Sequence, residues 1–223
     1  MMTFAGIEAQ RSGPEHLFEF LRGLAFWRQG ATREGLAPML RVPGGRVRLP
    51  DGRHRWVGAF LLDVRPVSNG DWLAFARATG AKCPPWMFRP GWEAPEQPVV
   101  GVTQTEALAF ARWAGKRLPS EAQWQRAVGE ATYPWGERTP DAQRVVFGRL
   151  PGKGKLPAAP EAGDRALGAG PFGHRDLVGN CWERLEGGVA RGGFWGSADP
   201  KSMLRLVLGD EERSAGVGFR CAR

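Results

Sequence analysis

Four times along this chain a Ser or Thr stands three residues ahead of a carboxylate or amide: Ser12 before Glu15, Ser68 before Asp71, Thr103 before Glu106 and Ser120 before Gln123. At that spacing the hydroxyl accepts a backbone N–H that the first helical turn leaves unpaired, and the later side chain reaches back to the N-cap's own N–H. Each pair therefore predicts a helix start. Leu17, Leu21 and Leu24 recur at helical spacing behind the first, and Trp72, Phe75, Ala76 and Thr79 share a face behind the second. The last three run into Gly80, Gly115 and Gly129, each able to take the left-handed conformation that stops a helix. Helices are thus few and short.

Beyond residue 130 the helical periodicity gives way to Gly, Pro and short apolar stretches, as loops and short strands require. Strands are expected at 46–49, 55–62, 189–194, 203–208 and 217–222, and a long surface loop at 149–172. No internal repeat is evident. We read an N-terminal helical extension over 1–41 and one domain over 42–223. Ten Trp and 12 Phe in 223 residues give this domain a large aromatic core, which excludes disorder as the main state. Apolar runs such as Ala59–Leu62 fall far short of the roughly 20 residues a membrane-spanning helix needs. The first residues carry neither a basic nor an apolar leader segment, so the cytoplasm is the default expectation. Cys83, Cys181 and Cys221 are too widely spaced for a disulfide framework or a metal knuckle.

The formal net charge is +8. Only five of the 31 basic residues are Lys, and there are one Ile and two Asn, a bias that suggests a GC-rich genome and a thermophile. The arginines are scattered. The densest group, Arg46, Arg48, Arg53, His54 and Arg55, surrounds the turn Leu49-Pro50-Asp51-Gly52. It could bind phosphate through planar guanidinium forks, but no aromatic residues interleave with it along the chain, which argues against nucleic acid as a partner.

Seven segments carry a resemblance: Asp63–Asn69, Pro98–Val102, Gly115–Trp124, Tyr133–Gly136, Asp176–Glu183, Arg191–Trp195 and the closing Gly218–Cys221. In this order they resemble the formylglycine-generating-enzyme (sulfatase-modifying factor) family. That resemblance implies an α+β, C-type-lectin-like fold with short antiparallel strands, few helices and much irregular structure. Family members that oxidise a substrate cysteine bind copper through two cysteines, four and nine residues after the Gly-Gly of the Arg191–Trp195 region. Here those positions are Ser197 and Ser202. A hydroxyl is a poor ligand for Cu(I), which prefers soft thiolates, so neither copper nor its oxidase chemistry is expected. Iron-dependent relatives use a histidine set. His16, His54 and His174 show no spacing for a facial triad, so iron is not expected either.

The resemblance also implies a structural Ca2+ in the loop Asp176–Glu183, with Asp176 and Glu183 as charged ligands and the carbonyls of Gly179 and Cys181 between them. The alternative is a plain turn with Asp176 as a cap. A second family calcium site needs an Asn where this chain has Val146. What is left is a binding surface at the C-terminal end, built from Phe194, Trp195, Gly196, Ser197, Ala198, Asp199, Ser202, Leu204, Leu206, Leu208 and Asp210. These residues hold no nucleophile–base pair. Leu204, Leu206 and Leu208 equally suit the buried face of a strand. The layout is also similar to variable proteins of diversity-generating retroelements, which place a hypervariable binding segment there. The ligand is unknown, with a protein one candidate; an enzyme of the same family with different chemistry is the competing reading.

Overall fold

The computed structural model describes residues 35–149, 161 and 165–223. The expected helix behind Ser12 and most of the 149–172 loop lie outside these residues. The compact unit runs from Gly35 to Arg223. Its first strand, β1 (Met39–Val42), begins ahead of Val42 and pairs antiparallel with β4 (Phe60–Asp63). Between them β2 (Gly45–Arg48) and β3 (His54–Val57) form a hairpin. The single strand expected at 55–62 is therefore two strands, which separate at Gly58-Ala59 and enter different sheets.

Among the described residues three α-helices form where their caps place them. In α1 (Asn69–Thr79), α2 (Gln104–Trp113) and α3 (Glu121–Val128), both bonds of the capping box are made, by Ser68 with Asp71, Thr103 with Glu106 and Ser120 with Gln123. Such a cap stabilises by about 1 kcal/mol relative to Ala. Gly80 closes α1 in the left-handed region, at φ 76° and ψ 10°. Gly129 ends α3 differently, at φ 89° and ψ −166°. Both regions suit glycine, but the chain leaves α3 extended.

The other sheet holds β7 (Arg205–Val207), β6 (Val189–Arg191), β5 (Trp182–Arg184) and β8 (Val217–Phe219), in that order. β5 lies parallel to β8, so the closing strand forms an edge of this sheet, and it is buried throughout. Ala222 bridges to both Leu62 and Arg117, tying the C-terminus to β4 and to the segment before α3. Two apolar clusters carry most of the core. One joins the hairpin and β1–β4 to α3 around Trp124. The other packs α1 against α2 around Trp72, Phe110 and Phe219, with Trp72 and Phe110 stacked at 5.8 Å and Phe219 edge-on to both. Such aromatic pairs each add about 0.5–1.5 kcal/mol beyond the area they bury. Among the described residues, three short α-helices with short strands and long irregular stretches make this an α+β, C-type-lectin-like fold.

Candidate functional site

The loop expected to hold calcium begins at Asp176, which takes φ 51°, and passes through Gly179 and Asn180 at φ 68° and 54°. Glycine is required at 179: a Cβ there would stand 2.5 Å from the carbonyl oxygen of Val146. Asn180 is fully buried and ties the loop on all sides. Its side chain exchanges two bonds with the backbone of Glu161, its N–H donates to Val146 O, and its carbonyl accepts from Trp195 N–H. Val146 thus serves the loop through its backbone.

Glu183 follows on β5, without solvent exposure. Its Oε2 accepts from Trp124 Nε1 at 2.9 Å and from Arg220 Nε at 2.8 Å, and its Oε1 accepts from Arg220 Nη2 at 2.6 Å. Arg220, equally buried, also donates to the carbonyls of Asp63, Arg175 and Asp176. Burial raises the Glu183 pKa, while the Arg220 guanidinium and the Trp124 N–H pull it back. The charge of this carboxylate and the Asp176 carbonyl therefore both face a guanidinium. Among the described residues there is no group of three or more His, Cys, Asp or Glu side chains able to hold a metal ion. Glu183 and the Asp176 carbonyl thus meet one guanidinium, whereas the calcium expected at Asp176, Gly179, Cys181 and Glu183 needs their oxygens turned toward one cation.

Two glycines, Gly192 at φ 93° and Gly193 at φ 78°, turn the chain from β6 into the C-terminal segment. Phe194 and Ser197 then close a tight ring: Phe194 N–H donates to Ser197 Oγ at 3.0 Å, and Ser197 N–H donates to Phe194 O at 2.9 Å. The Ser197 hydroxyl is thus a structural acceptor. Ser202 is buried. Its N–H donates to Thr132 O and its carbonyl accepts from Arg191, while its Oγ meets no hydrogen-bond partner among the described residues. Arg191 pins the segment from inside. It donates to the carbonyls of Leu204 and Ser202 and to the side chains of Glu121 and Gln125, and lies 4.8 Å over the Trp124 ring. Asp199 accepts from Tyr133 Oη at 3.0 Å and pairs with Lys201, and Tyr133 stacks on Trp135. Burial, followed by the bond to Asp199, raises the Tyr133 pKa.

The thiols are dispersed. Cys181 and Cys221 are buried in separate apolar clusters, and burial raises both pKa values well above the ordinary thiol value. Cys83 is half-buried and raised in the same way. Burial thus favours the neutral thiol at each position.

Of the expected binding residues, Trp195, Gly196, Ser202 and Leu208 are buried, and Trp195 packs edge-on against Trp92 and Phe194. Phe194, Ser197, Asp199, Leu204 and Leu206 are half-buried; Ala198 and Asp210 are exposed. The alternation along β7 turns Met203, Arg205 and Val207 outward, opposite to the leucines. The exposed part of 194–217 is therefore Ala198, Lys201, the 203/205/207 row and 209–213, with Asp199 half-buried beside Lys201. The period-two pattern was the signal for that row.

The sulfatase-modifying factor enzyme 1-like domain family matches residues 28–223. "Inactive C-alpha-formylglycine-generating enzyme 2" of Bos taurus is 28% identical, over 82% of this chain and 87% of that protein. Hercynine oxygenase of Mycolicibacterium thermoresistibile is 31% identical over 57% of this chain and 35% of its own length. Among solved structures, Treponema denticola variable protein 1 shares the fold with a TM-score of 0.61 at 17% identity, over 82% of this chain and 94% of that one. With most of its length matched, the chain belongs to the sulfatase-modifying factor enzyme 1-like domain family.

Proposed function

We propose that this protein is a binding module of its family, built without the copper centre, and that its contact surface is the accessible part of the 194–217 segment. The observation that carries this reading is the pair Ser197 and Ser202 at the positions where the resemblance places copper-binding cysteines. The bonds at these residues support it: the Ser197 hydroxyl holds the Phe194 amide, and Ser202 is packed in the interior. Alkoxide at either position is out of reach near neutral pH, and Cu(I) has no soft donor there. The iron-dependent alternative finds less support. His54 lies exposed on the hairpin while His174 is fully buried, so the two belong to different environments.

The row Met203, Arg205 and Val207 offers exposed apolar side chains around an arginine paired with Glu121, a face of the kind a protein partner buries. Diversification of the segment fits the same scaffold, because its framework contacts come from Gly192, Gly193, Arg191 and Trp195 and leave the outward positions free to vary. The test is a Cu(I) competition titration of the purified chain against a chromogenic chelator, beside the S197C/S202C variant. The unchanged chain should leave Cu(I) on the chelator and the double variant should withdraw it. Stoichiometric capture by the unchanged chain would overturn the proposal.

A further inference from the structure

The β2–β3 hairpin sets Arg46 opposite Trp56 and Arg48 opposite His54. Side chains alternate along a strand, so these four residues share one face, while Val47 and Val57 pack into the core on the other. Trp56 is 74% exposed, the most exposed large apolar side chain among the described residues. Arg46, Arg48 and Arg55 have no carboxylate within ion-pairing distance among the described residues, whereas Arg53 is paired with Asp51 at the turn. Pairing across the strands thus supplies the aromatic and cationic interleaving that the linear sequence conceals.

The face is also firmly seated. Gly45 lies so close to α3 that a Cβ there would stand 2.7 Å from Arg126 Nε, and Arg126 in turn lies 4.8 Å over the Phe172 ring. An exposed indole opposite Arg46, with Arg48 on the same face of the ribbon, suits a ligand that carries π-faces and phosphates at regular intervals.

We propose that this face binds single-stranded nucleic acid, with a base stacked on Trp56 and the flanking phosphates on Arg46 and Arg48. A duplex fits less well, since its bases are already stacked and offer no free face to the indole. An anionic membrane fits less well too. The hairpin tip, Pro50-Asp51-Gly52-Arg53, is polar and ends in an exposed ion pair, so nothing accompanies Trp56 into the bilayer interface. The surface uses none of the residues of the 194–217 segment and stands independently of the function proposed there.

The test is fluorescence anisotropy of the full chain with labelled single strands of thymidylate and of uridylate, roughly 20 nucleotides long, and with a duplex of equal length. Two to three phosphate contacts give a slope of log K against log salt of about −1.4 to −2.1, or roughly 7- to 18-fold weaker binding between about 50 and 200 mM salt. Trp56→Ala should weaken binding about tenfold without changing the slope or the melting temperature, and Trp56→Phe should retain most of the affinity. Arg46→Gln with Arg48→Gln should flatten the slope. No binding of either single strand at the lower salt would overturn the proposal. So would a Trp56→Ala variant that binds as the unchanged chain does, a duplex bound as tightly as the strands, or capture by phosphatidylserine vesicles in place of the strands.

Discussion

Replacing Arg220 with Met removes the guanidinium and keeps much of the side chain's length. Glu183 would then keep only the Trp124 N–H as a partner, in a place where neither residue has contact with water. The carbonyls of Asp63, Arg175 and Asp176 would each lose a donor as well. Breaking one side of a buried ion pair costs about 3–5 kcal/mol, most of it the penalty of an uncompensated charge. For a unit of this size each kcal/mol lowers the melting temperature by roughly 2–4 °C, so a fall on the order of 6–20 °C is expected. Urea unfolding of Arg220→Met, Glu183→Gln and the double variant separates the pair from its surroundings. The double variant should be less destabilised than the two single losses summed, by at least about 1.5 kcal/mol, because it leaves no lone charge behind. A single Arg220→Met loss under about 1 kcal/mol, or strict additivity, would refute the assignment of Arg220 as the counter-ion that organises this loop.

His174 gives a pH signature. Burial, then the nearby Arg220 charge, lowers its pKa from 6.5 to about 4; the backbone of Leu62 and Leu40 pulls the other way without meeting either ring nitrogen at hydrogen-bond geometry. Between these values the unfolded chain binds the proton and the folded one does not, so stability falls as pH drops from 6.5 to 4, by up to about 3 kcal/mol. In urea titrations across that range His174→Phe should lose this part of the slope; an unchanged profile would refute it. Because the guanidinium of Arg220 already meets Glu183, millimolar Ca2+ and excess EDTA should give the same melting temperature within about 2 °C. A rise of several degrees with Ca2+ alone would show that a cation shares the carboxylate.

The helices were legible because their signals are local. Ser68, Thr103 and Ser120 each find their partner three residues on, and no tertiary contact is needed to predict the bond. β1 and β5 escaped the sequence reading because they are short and their pairing is remote: Leu40 opposes Leu62, and Glu183 lies beside Gly218. The buried arginines escaped for a related reason. Nothing along the chain marks Arg191 and Arg220 as interior, and only the folded backbone gathers the carbonyls and carboxylates that let them be buried. The hairpin face was hidden the same way, since Arg46 and Trp56 are ten residues apart in sequence and opposite in register. The serines at 197 and 202, by contrast, are read directly, because they follow Gly193 at fixed distances that folding does not alter.

The central claim is that oxygen atoms occupy the positions where a cysteine oxidase of this family would bind copper. The most direct measurement is mass spectrometry of a cysteine-containing sulfatase-type peptide after incubation with the full chain, Cu(I), a thiol reductant and oxygen. The account predicts a peptide with its cysteine intact, as in the protein-free control. Enzyme-dependent conversion of that cysteine to an aldehyde, persisting in a Ser197→Ala and Ser202→Ala variant, would contradict it.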